Sequence, residues 1–189
     1  MKFIILHGTS ADHTSNWFPW LKDELERCGH EVWVPDLPNA ERPNTRNYNE
    51  MLLSSGYDFS DSVIIGHSSG SVSILGLLQV LPDDVKIKAG VLVGAFTKRL
   101  SESPSWEMLQ ELFEDSFDFE AIKKKAEQFI FIHSTDDPYC PIDDARLLCD
   151  HLAGKFIEFS GMGHFSLNLD PRFDKFPELL EILERELAA

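Results

Sequence analysis

The sequence predicts an α/β protein that is built as one domain over residues 1–189, with a mostly parallel sheet of about six strands and helices on both faces. Six short runs rich in Val, Ile and Phe recur without alternating polar residues, which is typical of strands buried on both faces of a parallel sheet. Stretches with helical spacing separate these runs, and such alternation indicates a doubly wound fold. The chain is 43% hydrophobic, which suits one substantial core.

The predicted strands cover residues 3–6, 31–34, 62–65, 90–93, 129–133 and 156–159. The first helix places Trp17, Leu21 and Leu25 on one face and ends near a glycine that can cap it. Further helices are predicted over residues 69–81, 106–113, 119–126, 143–152 and 176–187. Residues 35–47 are rich in Pro and Asn and are predicted to form a surface loop.

The charge balance limits the possible partners. The chain carries 17 basic and 32 acidic residues, a formal net charge of −15. This charge repels phosphate backbones and anionic lipids, so we expect neither nucleic acid nor a membrane as a partner. The cysteines, Cys28, Cys140 and Cys149, form neither a disulfide framework nor a zinc motif, which favours reduced thiols and a cytoplasmic location. The apolar run at the N-terminus is too short for a signal peptide.

Residues 66–70 read Gly-His-Ser-Ser-Gly, a G-x-S-x-G motif between a predicted strand and a predicted helix. In a nucleophile elbow this serine occupies a strained turn, and the flanking glycines allow close packing. The helix dipole also favours negative charge there. The motif alone would equally fit a glycine-rich turn with a capping serine. With its flanks it predicts Ser68 as the nucleophile, whereas Ser69 and Ser71 are expected to cap or pack, and His67 fills the variable position.

An acid and a base follow in the order that this fold requires. A serine needs a base to take its proton, and the base needs a carboxylate to orient it. Asp136 and Asp137 both follow the fifth predicted strand, at the edge where open α/β sheets place their sites. His164 follows the sixth strand, after two nearby glycines. An Asp-Pro turn or a single histidine is common without such a role, but their order and places predict His164 as the base and one of the two aspartates as the acid.

The oxyanion of a tetrahedral intermediate needs hydrogen-bond donors. The backbone N–H of Ser69, next to the nucleophile, is one candidate. The loop after the first strand, which reads His-Gly-Thr-Ser at residues 7–10, is expected to supply the other. The same residues also fit a tight turn without this role.

Together these motifs resemble the small serine-hydrolase family of retinoblastoma-binding protein 9 and YdeN-like proteins. The resemblance runs nearly end to end, and the Trp-Phe-Pro-Trp-Leu segment is its most specific part. The elements that carry it lie at residues 5–8, 16–21, 35–43, 66–70, 136–141 and 163–165.

The resemblance implies a lidless α/β-hydrolase fold and a triad of Ser68, Asp137 and His164. It selects Asp137 over Asp136, because the Asp-Pro-Tyr-Cys-Pro run is similar to the turn around the acid of many α/β-hydrolases. It also implies the N–H of Thr9 as the second oxyanion donor.

Three more residues are candidates for the substrate pocket, namely His7, Trp17 and His67. The first two lie in or just beyond the oxyanion loop, and His67 precedes the nucleophile. Trp17 and Trp20 have a second interpretation as core residues that pack the first helix onto the sheet, and we expect this role for at least one of them.

The expected activity is hydrolysis of carboxylic esters of small acyl groups, with no cofactor and no metal. A peptidase or an acyltransferase would use the same triad, and a silent binding protein would share the fold. Nucleotide binding is disfavoured because the first loop lacks G-x-G-x-x-G, and a metal hydrolase because the histidines lack H-x-H or HExxH spacing. The L-x-C-x-E motif of the human relative is incomplete at residues 147–151, so no specific protein partner is expected.

Overall fold

The computed structural model describes residues 1–187, apart from the side chain of Glu102. Six strands form one sheet in the order β2-β1-β3-β4-β5-β6, and every neighbouring pair is parallel. The strands are β1 (Lys2–Leu6), β2 (Glu31–Trp33), β3 (Ser62–His67), β4 (Ile87–Val93), β5 (Ala126–Ser134) and β6 (Lys155–Phe159). The predicted fold class is therefore confirmed.

The described chain contains seven α-helices and three short 3₁₀ helices. The α-helices are α1 (Phe18–Arg27), α2 (Thr45–Ser54), α3 (Ser69–Val80), α4 (Trp106–Leu109), α5 (Phe119–Lys124), α6 (Ile142–Leu152) and α7 (Pro177–Leu187). The 3₁₀ helices span Lys98–Glu102, Gln110–Phe113 and Pro171–Asp174. Among residues 1–187, none of these helices has the length and apolar character that crossing a bilayer requires.

The predicted surface loop is shorter than expected. Residues 35–47 do not remain irregular to their end, because α2 begins at Thr45. The side chain of Asn44 accepts a hydrogen bond of 3.0 Å from the N–H of Asn47. This cap satisfies one of the free N–H groups of the first helical turn and so starts the helix inside the predicted loop.

Both faces of the sheet are covered, which explains why the strands read as continuous apolar runs. Ile4 and Leu6 point to the face that carries α2, α3, α5 and α6. Phe3 and Ile5 point to the opposite face, which carries α1 and α7. Successive residues of a strand alternate between faces, so each strand contributes to both cores.

The strand order reverses at β1, and this reversal locates the site. The chain runs from β1 outward to β2 and then returns to place β3 on the other side of β1. In doubly wound sheets, ligands bind at such a switch point, beyond the carboxyl ends of the strands. Gly8 follows β1 and Ser68 follows β3 at this point.

The first turn of α3 lies against β1 with no space for a side chain. A Cβ atom at Gly70 would lie 2.2 Å from the carbonyl oxygen of Leu6, and one at Gly66 would lie 2.5 Å from the carbonyl of Gly70. Both glycines of the elbow motif are therefore required by backbone packing.

A short helical segment between β4 and α5 covers part of the same sheet edge. Residues 96–113, which we call the wall segment, contain two of the 3₁₀ helices and α4. The wall segment has its own small core of Phe96, Leu100, Leu109 and Leu112, which pack with Val72 and Cys140. The described chain thus has no separate lid domain, in agreement with the predicted fold class, but this segment borders the site.

We predict that Gly70→Ala lowers the free energy of unfolding by about 3 kcal/mol, because the new methyl group meets backbone atoms that cannot give way. Urea denaturation measures this change. Val80→Ala, at an exposed position of the same helix, is the control and should change the free energy of unfolding by less than about 0.5 kcal/mol. Equal effects of the two substitutions would contradict the steric argument.

Candidate active site

Ser68 lies on a strained turn between β3 and α3. Its backbone has φ 55° and ψ −121°, a conformation that residues other than glycine rarely adopt. The turn is anchored to the end of β4, because the N–H of Ser68 donates to the carbonyl of Val93 over 2.9 Å. The hydroxyl of Ser71 contacts the carbonyls of Gly66 and Val93 at 2.7 and 2.9 Å. The surrounding structure thus presents the Ser68 side chain at the sheet edge.

Asp137 and His164 form a hydrogen-bonded pair beside this turn. The Nδ1 atom of His164 lies 2.7 Å from Oδ2 of Asp137, and both side chains are almost fully buried. Oδ1 of Asp137 accepts hydrogen bonds from the N–H groups of Tyr139 and Cys140. Burial opposes ionisation of Asp137, but these contacts and the charge of His164 outweigh it and lower the pKa of this carboxyl. The structure therefore supplies an oriented imidazole with an ionised partner.

The side chain of Asp136, which the residues alone left as an alternative acid, is directed to the loop before His164. Its Oδ1 accepts a hydrogen bond from the hydroxyl of Ser134, which lowers the pKa of Asp136, and others from the N–H groups of Gly161 and Met162. Asp136 thus braces the loop that precedes His164, and the structure brings Asp137 to His164 instead.

Ser68 and His164 line one cavity at the carboxyl end of the sheet. Within the described part of the chain, no hydrogen bond joins the Ser68 hydroxyl to the His164 ring. Such bonds are often long or poorly aligned in enzymes without substrate and tighten in the complex. Ser68 and His164 therefore border the same cavity, and the Asp137–His164 contact is already formed.

The two predicted oxyanion residues come together as well. The hydroxyl of Thr9 donates to that of Ser69 over 3.0 Å, which links the loop after β1 to the start of α3. Ser69 is the first residue of α3, so its N–H has no acceptor within the helix. Thr9 lines the cavity together with Ser68, and Ser69 follows Ser68 directly in the chain.

The cavity is lined by apolar and polar side chains. It encloses about 720 Å³, and none of the described side chains that line it belongs to Asp, Glu, Lys or Arg. The wall segment contributes the apolar side chains of Phe96, Leu100 and Leu109 and the hydroxyls of Ser103 and Ser105. Further polar groups come from other loops, namely Thr9, Ser10, Ser15, Asn16, Ser166 and Asn168. Three large apolar residues are exposed at the rim, namely Met108, Tyr139 and Leu167.

Two of the predicted pocket residues lie in the core, which corrects their assignment. His7 is buried beneath the cavity, where Nδ1 donates to the carbonyl of Gly8 and Nε2 accepts from the N–H of Leu37. Trp17 is fully buried, and its indole N–H donates to the carbonyl of Phe165 over 3.1 Å. Trp17 packs in the core on the α1 side, and neither side chain lines the cavity. Trp20 is half-buried and packs on that same core.

His67 does border the cavity, but its ring lies in the core beside His164. Its Nε2 lies 2.8 Å from the carbonyl oxygen of His164, and the two ring centroids are 4.9 Å apart. Burial, together with the neighbouring His164, lowers the pKa of His67 to about 3. His133 has a similar position under the acid, where Nε2 lies 2.8 Å from the carbonyl oxygen of Cys140. Burial also lowers the pKa of His133.

Sequence reasoning missed two residues that position the histidine. Gly94 has φ 63°, and a Cβ atom there would lie 3.0 Å from Cε1 of His164, so only glycine leaves space for the imidazole. The side chain of Asn16 accepts a 2.9 Å hydrogen bond from the N–H of Leu167. A glycine directly after the buried strand β4 was the available signal for the first residue. Asn16 is the first residue of the segment 16–21 that carries the family resemblance, but nothing in that segment indicates its hydrogen bond to Leu167.

One group of possible metal ligands exists among the described residues. Atoms of Asp137, Cys140 and His164 lie within 4.8 Å of one another. Two of these residues already share the hydrogen bond described above, and burial raises the pKa of the Cys140 thiol well above its usual value. A thiol held neutral in this way is a poor metal ligand.

Comparison with known proteins identifies the family. The profile of the serine hydrolase family matches residues 3–185, so the chain belongs to this family. The YdeN protein of Bacillus subtilis is 29% identical over 180 residues, which cover 95% of this chain and 92% of that protein. The serine hydrolase RBBP9 of Rattus norvegicus is 25% identical over 189 residues, covering 98% and 95%.

Two further comparisons concern the fold and a more distant relative. The crystal structure of the B. subtilis ydeN gene product has a TM-score of 0.89 and 27% identity, and the match covers 100% of this chain and 99% of that one. Methylesterase 2 of Arabidopsis thaliana is 29% identical over 126 residues, which cover 60% of this chain and 46% of that protein. These results confirm the family resemblance that the motifs indicated.

The buried histidines predict a loss of stability in mild acid. The pKa of His67 is about 3 in the folded protein, below the ordinary value near 6.5, and the pKa values of His7 and His133 are also lowered. Between pH 6.5 and 4 the unfolded chain therefore binds more protons than the folded one. We expect the free energy of unfolding to fall as the pH falls, by up to about 1.4 kcal/mol per pH unit for each such histidine.

His67→Gln should reduce this slope, because one of the three groups is removed. Urea denaturation at several pH values between 4 and 7 measures the slope. His151→Gln, at an exposed position, is the matched control and should leave it close to that of the wild type. An unchanged slope in His67→Gln would show that the His67 ring does not titrate as its burial requires.

Proposed function

We propose that this serine hydrolase cleaves uncharged carboxylic esters of small apolar acyl groups through an acyl-enzyme on Ser68. His164 acts as the general base and Asp137 orients it. The observation that carries the proposal is the 2.7 Å hydrogen bond between Asp137 and His164, next to a strained serine turn on the same cavity. This arrangement fits acyl transfer to a serine oxygen.

The first half of the reaction forms the acyl-enzyme. With Nδ1–H held by Asp137, Nε2 of His164 is free to take the proton of Ser68 Oγ as that oxygen attacks the ester carbonyl. The negative charge that develops on the carbonyl oxygen is stabilised by the N–H groups of Ser69 and Thr9. Each donor of this kind is worth about 3–4 kcal/mol in the transition state.

The second half releases the acyl group. When the tetrahedral intermediate collapses, His164 gives its proton to the departing alkoxide, and the alcohol leaves. Water then attacks the acyl carbonyl while His164 takes its proton. His164 gives this proton to Ser68 Oγ as the Ser68–acyl bond breaks, which yields a carboxylic acid and the free serine. Asp137 remains ionised throughout and stabilises the imidazolium, which agrees with its lowered pKa.

The cavity supports an uncharged substrate. None of its described lining residues offers a charged carboxylate, ammonium or guanidinium group, and the net charge of −15 disfavours the approach of anions. The wall segment and the exposed Met108 and Tyr139 offer apolar contacts to an acyl chain. The likeness to a methylesterase supports an ester bond as the target.

The cysteines support a reducing compartment for this activity. Cys28, Cys140 and Cys149 are all free thiols. Because free thiols persist where glutathione and thioredoxin keep them reduced, we propose a cytoplasmic location.

The test of this function is a panel of p-nitrophenyl esters of increasing acyl length, together with a fluorophosphonate probe. We expect the wild type to hydrolyse the short esters with measurable kcat/KM and to be labelled by the probe. Ser68→Ala should lose at least about 10³-fold in kcat and all labelling, because the nucleophile is gone. Ser105→Ala, which removes another serine hydroxyl that lines the cavity, controls for labelling elsewhere. Labelling that survives Ser68→Ala would reject Ser68 as the nucleophile.

The two aspartates give a second prediction. Asp137→Asn should lower kcat by about 10³- to 10⁴-fold, because an amide stabilises the wrong histidine tautomer and no imidazolium. Asp136→Asn keeps an oxygen that can accept from the loop N–H groups and should retain at least ten times the kcat of Asp137→Asn. Steady-state kinetics on one ester compares them. The reverse order would make Asp136 the acid.

A further inference from the structure

Two buried histidines flank the Asp137–His164 pair, and the mechanism above uses neither of them. His67 lies under the base, with its Nε2 2.8 Å from the carbonyl oxygen of His164. His133 lies under the acid, with its Nε2 2.8 Å from the carbonyl oxygen of Cys140 and 3.6 Å from Oδ2 of Asp137. Both rings are almost fully buried.

The contacts define the same tautomer for both rings. A carbonyl oxygen only accepts hydrogen bonds, so Nε2 of each ring must carry a hydrogen. The Nδ1 atom of each ring is buried, and in residues 1–187 it has no hydrogen-bond partner. A second proton there would leave an unsatisfied buried charge, so His67 and His133 remain neutral Nε2–H donors.

The two carbonyls belong to the peptides that hold the base and the acid. One is the carbonyl of His164 itself. The other belongs to Cys140, whose N–H binds Oδ1 of Asp137 and so closes the acid turn. Each buried histidine therefore fixes the backbone of one partner in the Asp137–His164 pair.

The base loop needs such an anchor because its own backbone is permissive. Gly161 and Gly163, which precede His164, both have positive φ values. Glycine loses more conformational freedom than other residues when it is held in one conformation. The hydrogen bond from His67 to the carbonyl of His164 offsets this loss of conformational freedom at the end of the loop. His133 restrains the opposite partner at the end of β5.

We propose that His67 and His133 are positioning residues, which hold the base loop and the acid turn so that Asp137 and His164 stay in contact. The role rests on the proposed function of the pair. It requires an N–H donor at the position of each Nε2 atom and requires no charge or proton transfer from either ring.

The experiment compares a donor with a non-donor at each position. Gln places an amide N–H close to the position of Nε2, whereas Met fills similar volume without a donor. We expect His67→Met and His133→Met to lower kcat about 10- to 100-fold with KM changed less than about threefold, because a small displacement of the base or acid has this effect. The Gln variants should restore kcat to within about threefold of the wild type.

Two Asn variants and a stability control distinguish a positioning role from a general loss of stability. Asn carries its amide at the position of Nδ1 instead, so Asn variants should behave like Met variants. Leu52→Ala removes a buried side chain of α2 from the core between α2 and the sheet, and it should lower the free energy of unfolding while leaving kcat unchanged.

Proton NMR reports the geometry without turnover. The low-field resonance of His164 Nδ1–H, identified by its loss in Asp137→Asn, should weaken or shift in the Met variants and persist in the Gln variants. Met variants with wild-type kcat and an unchanged resonance, or Gln variants no better than Met variants, would overturn the proposal. If the wild type hydrolysed no ester, the proposed function would fail, while the resonance would still decide the positioning role.

Discussion

The close contact between α3 and the carboxyl end of β1 is the constraint on which the rest of this site depends. Gly70 lies so near the carbonyl of Leu6 that no side chain fits between helix and strand. The chain must therefore turn sharply from β3 into α3, and the residue at that turn takes the strained conformation of Ser68. The same contact puts the N-terminus of α3 next to the loop after β1, where Thr9 meets Ser69. One steric condition thus sets both the nucleophile and its candidate oxyanion donors.

The base reaches this turn from the far end of the sheet and depends on contacts with distant parts of the chain. The loop around His164 is held by Trp17 and Asn16, which bind the backbone of Phe165 and Leu167. Tertiary hydrogen bonds of this kind stabilise a loop that has two glycines and no regular structure of its own. The segment just before α1 therefore contributes to the site, with Asn16 at the cavity and Trp17 in the core.

Features that depend on residues close together in the sequence could be predicted from it. The elbow motif, the order of acid and base and the buried strands all depend on neighbouring residues, and the structure has these elements near the predicted places. Whether Asp136 or Asp137 meets the histidine depends on the path of the turn after β5, which the residues alone do not show. The direction of His7 and Trp17 depends on which face of the sheet takes them, so their placement in the pocket was wrong. Gly94 escaped notice because its neighbour in space, His164, is 70 residues away in sequence.

The wall segment shows how the choice of substrate can be separate from catalytic geometry. It packs in a cluster of its own. A buried carboxylate on α6, Asp144, holds its start by accepting hydrogen bonds from the N–H and the hydroxyl of Thr97 at 3.1 and 2.9 Å. The elbow, in contrast, is fixed by glycine contacts and by the carbonyls of β3 and β4. Because the two sets of contacts share few atoms, side chains such as Leu100 and Leu109 can differ in size without moving Ser68. For the proposed ester substrates, we expect acyl specificity to depend on the wall segment. Its contacts with a substrate do not follow from local sequence patterns, so the reaction type was easier to infer than the substrate.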